Sequence, residues 1–189
     1  DSEEIRLTFG DLLRSHGRID RALGEYDRAL ELDPALEGAI VGRALCLAES
    51  GRGDEAARYL GELRQTLPTR RRIPTTQAQI LLAFGSPEAI AEALTIARDA
   101  NSNKPTIASA VVLALALAHS GDFEEAAGWQ SRALAAMPAD ASWAVQRQRA
   151  GDRLAAYHSR RKIPATLDAG AVLALSLTQP LNPEDSTPS

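Results

Sequence analysis

GDFEEAAGWQSRALAAMP, residues 121–138, decides the fold because the chain repeats it. Residues 17–34, GRIDRALGEYDRALELDP, align with it without a gap. Gly17 matches Gly121, Ile19 matches Phe123, Ala22 matches Ala126, Ala29 matches Ala133 and Pro34 matches Pro138. Residues 51–68 keep the glycine, Ala56, apolar Leu60 and Leu63, and Pro68. Pro34 and Pro68 stand 34 residues apart, and Pro68 to Pro138 spans two such periods plus a small insertion. A period of this length marks stacked helical repeats.

Each unit reads as two helices joined by a tight turn. The glycine ends the first helix, where a residue without a Cβ takes positive φ cheaply. Ala22 and Ala29, or Ala126 and Ala133, lie seven apart on one helical face and admit a close neighbour, with Tyr26 supplying bulk between the first two. Proline then stops the second helix, lacking the amide donor and clashing with the preceding turn. One such pair cannot bury its apolar face alone, so the pairs must stack.

These residues resemble the tetratricopeptide repeat family from about Leu7 to Tyr157. The last unit, followed by LAAYHSRRKIP, is similar to the closing unit of a group of bacterial tetratricopeptide proteins. The resemblance implies an all-α, right-handed solenoid of about four helix pairs with a C-terminal capping helix. It also implies an interaction module, not an enzyme.

Composition agrees. Alanine, leucine and arginine are abundant, and aromatics are only 4% of the 189 residues, which favours helices over sheet. A single cysteine, Cys46, leaves no intramolecular disulfide to form, so the fold needs no oxidising compartment; a cytoplasmic location is favoured, with a periplasmic or secreted one the alternative if a signal peptide has been removed. No apolar run reaches the ~20 residues that span a bilayer. The start at Asp1, without methionine, reads as a processed or excised piece. The net charge of −4 is uneven: acids dominate residues 1–68, whereas 139–163 hold Arg147, Arg149, Arg153, Arg160, Arg161 and Lys162 against Asp140 and Asp152.

In chain order, the array with its cap is expected over 3–163, with repeats at about 3–36, 37–70, 74–104 and 105–138. Thr69 to Thr76, TRRRIPTT, reads as an irregular basic loop that breaks the period. The third repeat is expected to be degenerate, its first helix short, about Thr76 to Phe84. Its second opens on Ser86 as N-cap with Pro87 at the first helical position. Asn101 to Lys104 reads as a turn. The following ASAVVLALALAHS is apolar nearly all round, as in a helix buried on two sides. A basic capping helix is expected over 141–161, resting on Trp143, Leu154 and Tyr157. Residues 164–189 read as a partly disordered tail containing one apolar stretch, Ala169 to Leu177.

Three sets of residues are candidates for function. His16, His119 and His158 have no metal or triad spacing, and the first two fall near the end of a first helix, where a cation suits the dipole. Cys46 reads as a packing residue, and Gly51-Arg52-Gly53 follows a helix rather than the strand a phosphate loop needs. No cofactor, metal site or catalytic residue is assigned. Arg70, Arg71 and Arg72 with Arg160 and Arg161 form a candidate anion site if the array curls. The lack of interleaved aromatics and the acidic balance argue against nucleic acid.

The third set follows from the resemblance. In the family the first helix of each repeat lines a concave groove, which here gives Leu7, Asp11, Arg14, Val41, Leu45, Ala48, Val111, Leu115, Ala118 and His119. The lysines and asparagines with which chaperone-binding members clamp a terminal carboxylate are absent. The groove therefore suits an amphipathic helix or an apolar extended peptide. The competing reading fills these positions with the chain's own flanking helices. The tail stretch is a further candidate cover, in cis or from a neighbouring chain.

Overall fold

The computed structural model describes residues 2–102 and 105–163. Four helix pairs follow one another: α1 Glu3–Ser15 and α2 Ile19–Leu32, α3 Glu37–Glu49 and α4 Gly53–Thr66, α5 Arg72–Phe84 and α6 Pro87–Asn101, α7 Ile107–Ser120 and α8 Phe123–Ala136. A 3-10 turn, Ala141–Trp143, leads into the capping helix α9, Ala144–His158. The described residues contain no strand. The expectation of one cap helix over 141–161 therefore holds in place but not in form.

The turns repeat as the helices do. Gly17, Gly51, Gly85 and Gly121 all have positive φ. After α1, Arg18 N–H donates to Leu13 C=O and Gly17 N–H to Arg14 C=O. The same pair recurs after α3, from Arg52 to Leu47 and Gly51 to Ala48, and after α7, from Asp122 to Leu117 and Gly121 to Ala118. This closes the carbonyls left open at a helix end.

Three sequence expectations are corrected. The third first helix is not short: α5 starts at Arg72, with Pro74 inside its first turn. There the absent N–H would have had no helical partner anyway, and proline's fixed φ already suits the helix. Nor does the period break at the basic loop, since Gly85 follows Gly51 by the same 34 residues. Gly121 follows Gly85 by 36, and the two extra residues lengthen α6 to 15 and α7 to 14, against 14 for α4 and 13 for α5, on either side of the joint between them. A buried polar network closes that joint. Asn101 Nδ2 donates to the carbonyls of Ala97 and Ser109 at 2.7 and 2.9 Å, and Ser109 Oγ donates to Asn101 Oδ1 at 2.9 Å. Thr106 and Ser109 form a capping box at the start of α7. Asn101 thus ends a helix rather than opening a turn.

No residue of α5 supplies a side-chain cap, and arginines at a helix N-terminus oppose the dipole. Glu37, at the start of α3, supplies the acceptor instead: its Oε1 takes the N–H of Arg72 at 2.7 Å. Ser86 caps α6 as expected, accepting from Ala89 N–H at 3.1 Å.

Packing follows the small residues. Ala22, Ala29, Ala126 and Ala133 are wholly buried. Helices α1, α3, α5 and α7 touch their own partners and also one another, which makes them the inner layer. In α7 every residue from Ile107 to Ala118 is buried. At the far end Trp143, Ala150 and Tyr157 bury against α7 and α8, and Arg147 Nη1 donates to the open carbonyl of Met137 at 2.7 Å. The cap thus covers both the apolar face and the polar end of the last repeat.

Candidate functional site

The register of the glycines aligns the inner helices position by position. Leu7, Val41, Thr75 and Val111 are equivalent, as are Asp11, Leu45, Gln79 and Leu115, and Arg14, Ala48, Leu82 and Ala118. Thr75, Gln79 and Leu82 are not among the residues expected from the sequence, where the third repeat reads as degenerate and out of register. The signal was present: each lies 34 residues after Val41, Leu45 or Ala48. The middle of this inner face carries no formal charge. Valine and leucine flank one hydroxyl and one amide.

These positions are not open. Val41 and Leu45 are each 1% exposed, Val111 5% and Leu115 8%, and Thr75 and Gln79 are buried with them. Among the described residues Val41 and Leu45 form a cluster of their own. Val111 joins Ile107, Ala133 and Met137, whereas Leu115 belongs to the main core. Ala118 is buried, and Leu7, Ala48 and His119 are half-buried.

In the first repeat the polar pair is already engaged. Asp11 Oδ1 accepts the hydroxyl of Tyr26 at 2.7 Å, and burial pushes that phenol up from its ordinary value. Arg14, almost wholly buried, pairs with Glu49 at 2.8 Å. Burial holds the Glu49 carboxyl above its usual range against the pull of Arg14. Both side chains link α1 to its neighbours, so neither is a free recognition group in this arrangement.

His119 Nε2 lies 2.8 Å from the carbonyl of Ile163. His16 is exposed, with Nδ1 2.8 Å from Leu12 C=O, and His158 lies beyond them at the end of α9. Cys46 is buried, and burial pushes its thiol up to about 12, so it carries no thiolate at neutral pH. Among the described residues no group of three His, Cys, Asp or Glu side chains could hold a metal ion.

The arginines are divided between two recesses. Arg70 and Arg71 join Arg64, Asp99 and Ser109 around one of about 560 Å³, between the loops before α5 and α7. Arg160 lines another of about 640 Å³ with Asp122, Glu124 and Tyr157. Arg72 faces Glu37 through its backbone, and Arg161 N–H closes the end of α9 on Ala156 C=O. No helix among the described residues is long and apolar enough to cross a membrane.

A tetratricopeptide repeat family model matches residues 13–80 and a second matches 75–141, together spanning most of the array. The chain belongs to the tetratricopeptide repeat family. Its fold matches TTC0263, a thermophilic tetratricopeptide protein of Thermus thermophilus, with a TM-score of 0.64 at 20% identity, covering 93% of this chain and 97% of that one. It also matches YrrB, a tetratricopeptide protein with an unusual peptide-binding site, with a TM-score of 0.51 at 19% identity over 90% of this chain and 84% of that one. A curated relative, the TPR repeat-containing thioredoxin TTL4 of Arabidopsis thaliana, is 34% identical over 88 residues. That alignment takes in 47% of this chain and 13% of the plant protein. As a tetratricopeptide array, the chain is a protein–protein interaction module in general terms.

Proposed function

We propose that this module receives an apolar peptide segment along the inner face of α3, α5 and α7. The observation that carries the reading is the uncharged ladder of Val41, Leu45, Thr75, Gln79, Val111 and Leu115, held in register by helices that touch side by side. Apolar contacts would supply the affinity, while Thr75, whose hydroxyl donates to Arg71 C=O at 3.1 Å, keeps acceptor capacity for a peptide N–H. With Asp11 and Arg14 tied to Tyr26 and Glu49, the face has no charged clamp for a terminal carboxylate. YrrB, similar in fold, has a peptide-binding site described as unusual.

A second reading rests on Arg64, Arg70 and Arg71. None forms a salt bridge among the described residues, and Arg64 Nε is buried without a hydrogen-bond partner. Their recess would take an anionic group carried by a partner.

Salt separates the two. A library of defined peptides, apolar and acidic, is titrated against the full chain at low and high ionic strength. The inner-face reading expects apolar peptides whose affinity barely changes with salt and survives Arg70→Ala/Arg71→Ala. Selection of acidic peptides, with steep loss in salt and on that double substitution, would replace it with the second reading.

A further inference from the structure

We propose that the inner face has a resident occupant, the apolar segment Ala169–Leu177 of this same chain, which an outside peptide must displace. The segment lies outside the described residues, which end at Ile163. This inference rests on the peptide-binding reading above and adds its regulation.

The first support is burial without a matching neighbour. Inner helices of a stacked array bury one flank on each adjacent helix and leave a third side facing inward. Here that side is closed as well. Val41 and Leu45 are 1% exposed although their cluster, among the described residues, contains only the two of them. Helix α5 is buried without interruption from Thr75 to Leu82, and α7 from Ile107 to Ala118.

The second support is the path of the chain. After α9 the backbone does not leave the molecule at its capped end. Ile163 packs on the main core, and its carbonyl meets Nε2 of His119 at 2.8 Å. His119 is one turn beyond Leu115 on the inner helix α7. The chain is therefore delivered to the end of the ladder. Ala169 is the sixth residue after Ile163, a reach of roughly 20 Å when extended. Val111 is eight residues from His119 along α7, about 12 Å at the helical rise. Ala169–Leu177 can thus lie beside Leu115 and Val111 without strain.

The third support is chemistry. AGAVLALSL carries no charge, and the ladder from Val41 to Leu115 carries none either. Its one hydroxyl-bearing residue is Ser176. A segment joined to its site by so short a linker acts at high effective concentration, so modest contacts keep it in place.

The test uses the full chain. A fluorescent peptide copying residues 169–177 is titrated against the wild type and against Val172→Glu/Leu173→Glu, with circular dichroism checking equal helix content. The variant is expected to bind the peptide at least about tenfold more tightly, because its own segment no longer competes. Equal affinity for both forms overturns the inference and leaves the peptide-binding face standing. No binding to either form also overturns it, and the apolar library of the preceding section then decides independently whether the face binds peptides at all. A second measurement needs no ligand. In a Cys46→Ala background, Leu115→Cys is combined in turn with Val172→Cys, Leu173→Cys and Leu175→Cys and oxidised. A cross-link within one chain is expected for at least one pair. Its absence from all three, or links only between chains, overturns the proposal.

Discussion

The ring of Tyr26 occupies the space a side chain at Gly42 would need: a Cβ built there would lie 2.4 Å from Tyr26 Cζ. The same ring would meet a Cβ on Gly10 at 2.7 Å. Tyr26 of α2 is thus wedged between α1 and α3, with its hydroxyl fixed by Asp11. Gly42→Ala should overpack this joint and cost on the order of 1–3 kcal/mol. Combined with Tyr26→Ala it should cost far less than the sum of the two single changes. Additive losses in a denaturation series would mean that the ring yields freely.

Cys46 gives a chemical readout of the same region. Its thiol is buried beside α2 and pushed up to about 12. Iodoacetamide at pH 8 should leave it unmodified in the native chain and alkylate it promptly in denaturant. Rapid native labelling would place α3 in exchange with an open state.

Glu25 predicts a pH dependence. Arg6 donates to its Oε2 at 2.8 Å and Arg28 to its Oε1 at 2.7 Å, and these hold the carboxyl below the ordinary value of 4.5. A lowered folded-state value contributes stability that is fully present above 4.5 and is lost as the pH falls through the folded value. Glu25→Gln should therefore lower Tm at pH 6, and the gap to wild type should narrow steadily below 4.5. A gap that stays constant down to pH 3 would show that the pair adds nothing.

The insertion joint predicts a local loss. Asn101→Ala removes two donated bonds and leaves the carbonyl of Ser109 without that donor in a buried site. A cost of about 1–3 kcal/mol is expected, with faster amide exchange at the start of α7 than in α2. Uniformly faster exchange along the chain would contradict a local role.

Much of the fold was legible because its signals are local. Gly17, Ala22, Ala29 and Pro34 return as Gly121, Ala126, Ala133 and Pro138, and each acts on its own helix or turn. The start of α5 was not legible for the opposite reason. Its first turn holds Arg72 and Pro74, which read as a loop, and the acceptor that stabilises it comes from Glu37, 35 residues away. Thr75 falls outside the expected helix for that reason, whereas Gln79 lies inside it and is masked by the apparent break of the period before α5. Burial of the inner face was not legible either, since apolar residues at the right register look the same whether a neighbour covers them or not. The engagement of Asp11 by Tyr26, and of Arg14 by Glu49, likewise depends on helices that only the assembled array brings together.

The carboxylate of Glu37 also ties the second repeat to the start of the third. A helix is costly to nucleate, and α5 begins with arginines and a proline but no acceptor of its own. Until α3 is in place, the first turn of α5 lacks its stabilising contact. Helices α6 and α7 are capped by their own Ser86 and Thr106. Among the described residues, α5 is the one helix whose starting N–H is held by a side chain of another repeat, a bond that neither repeat can make alone.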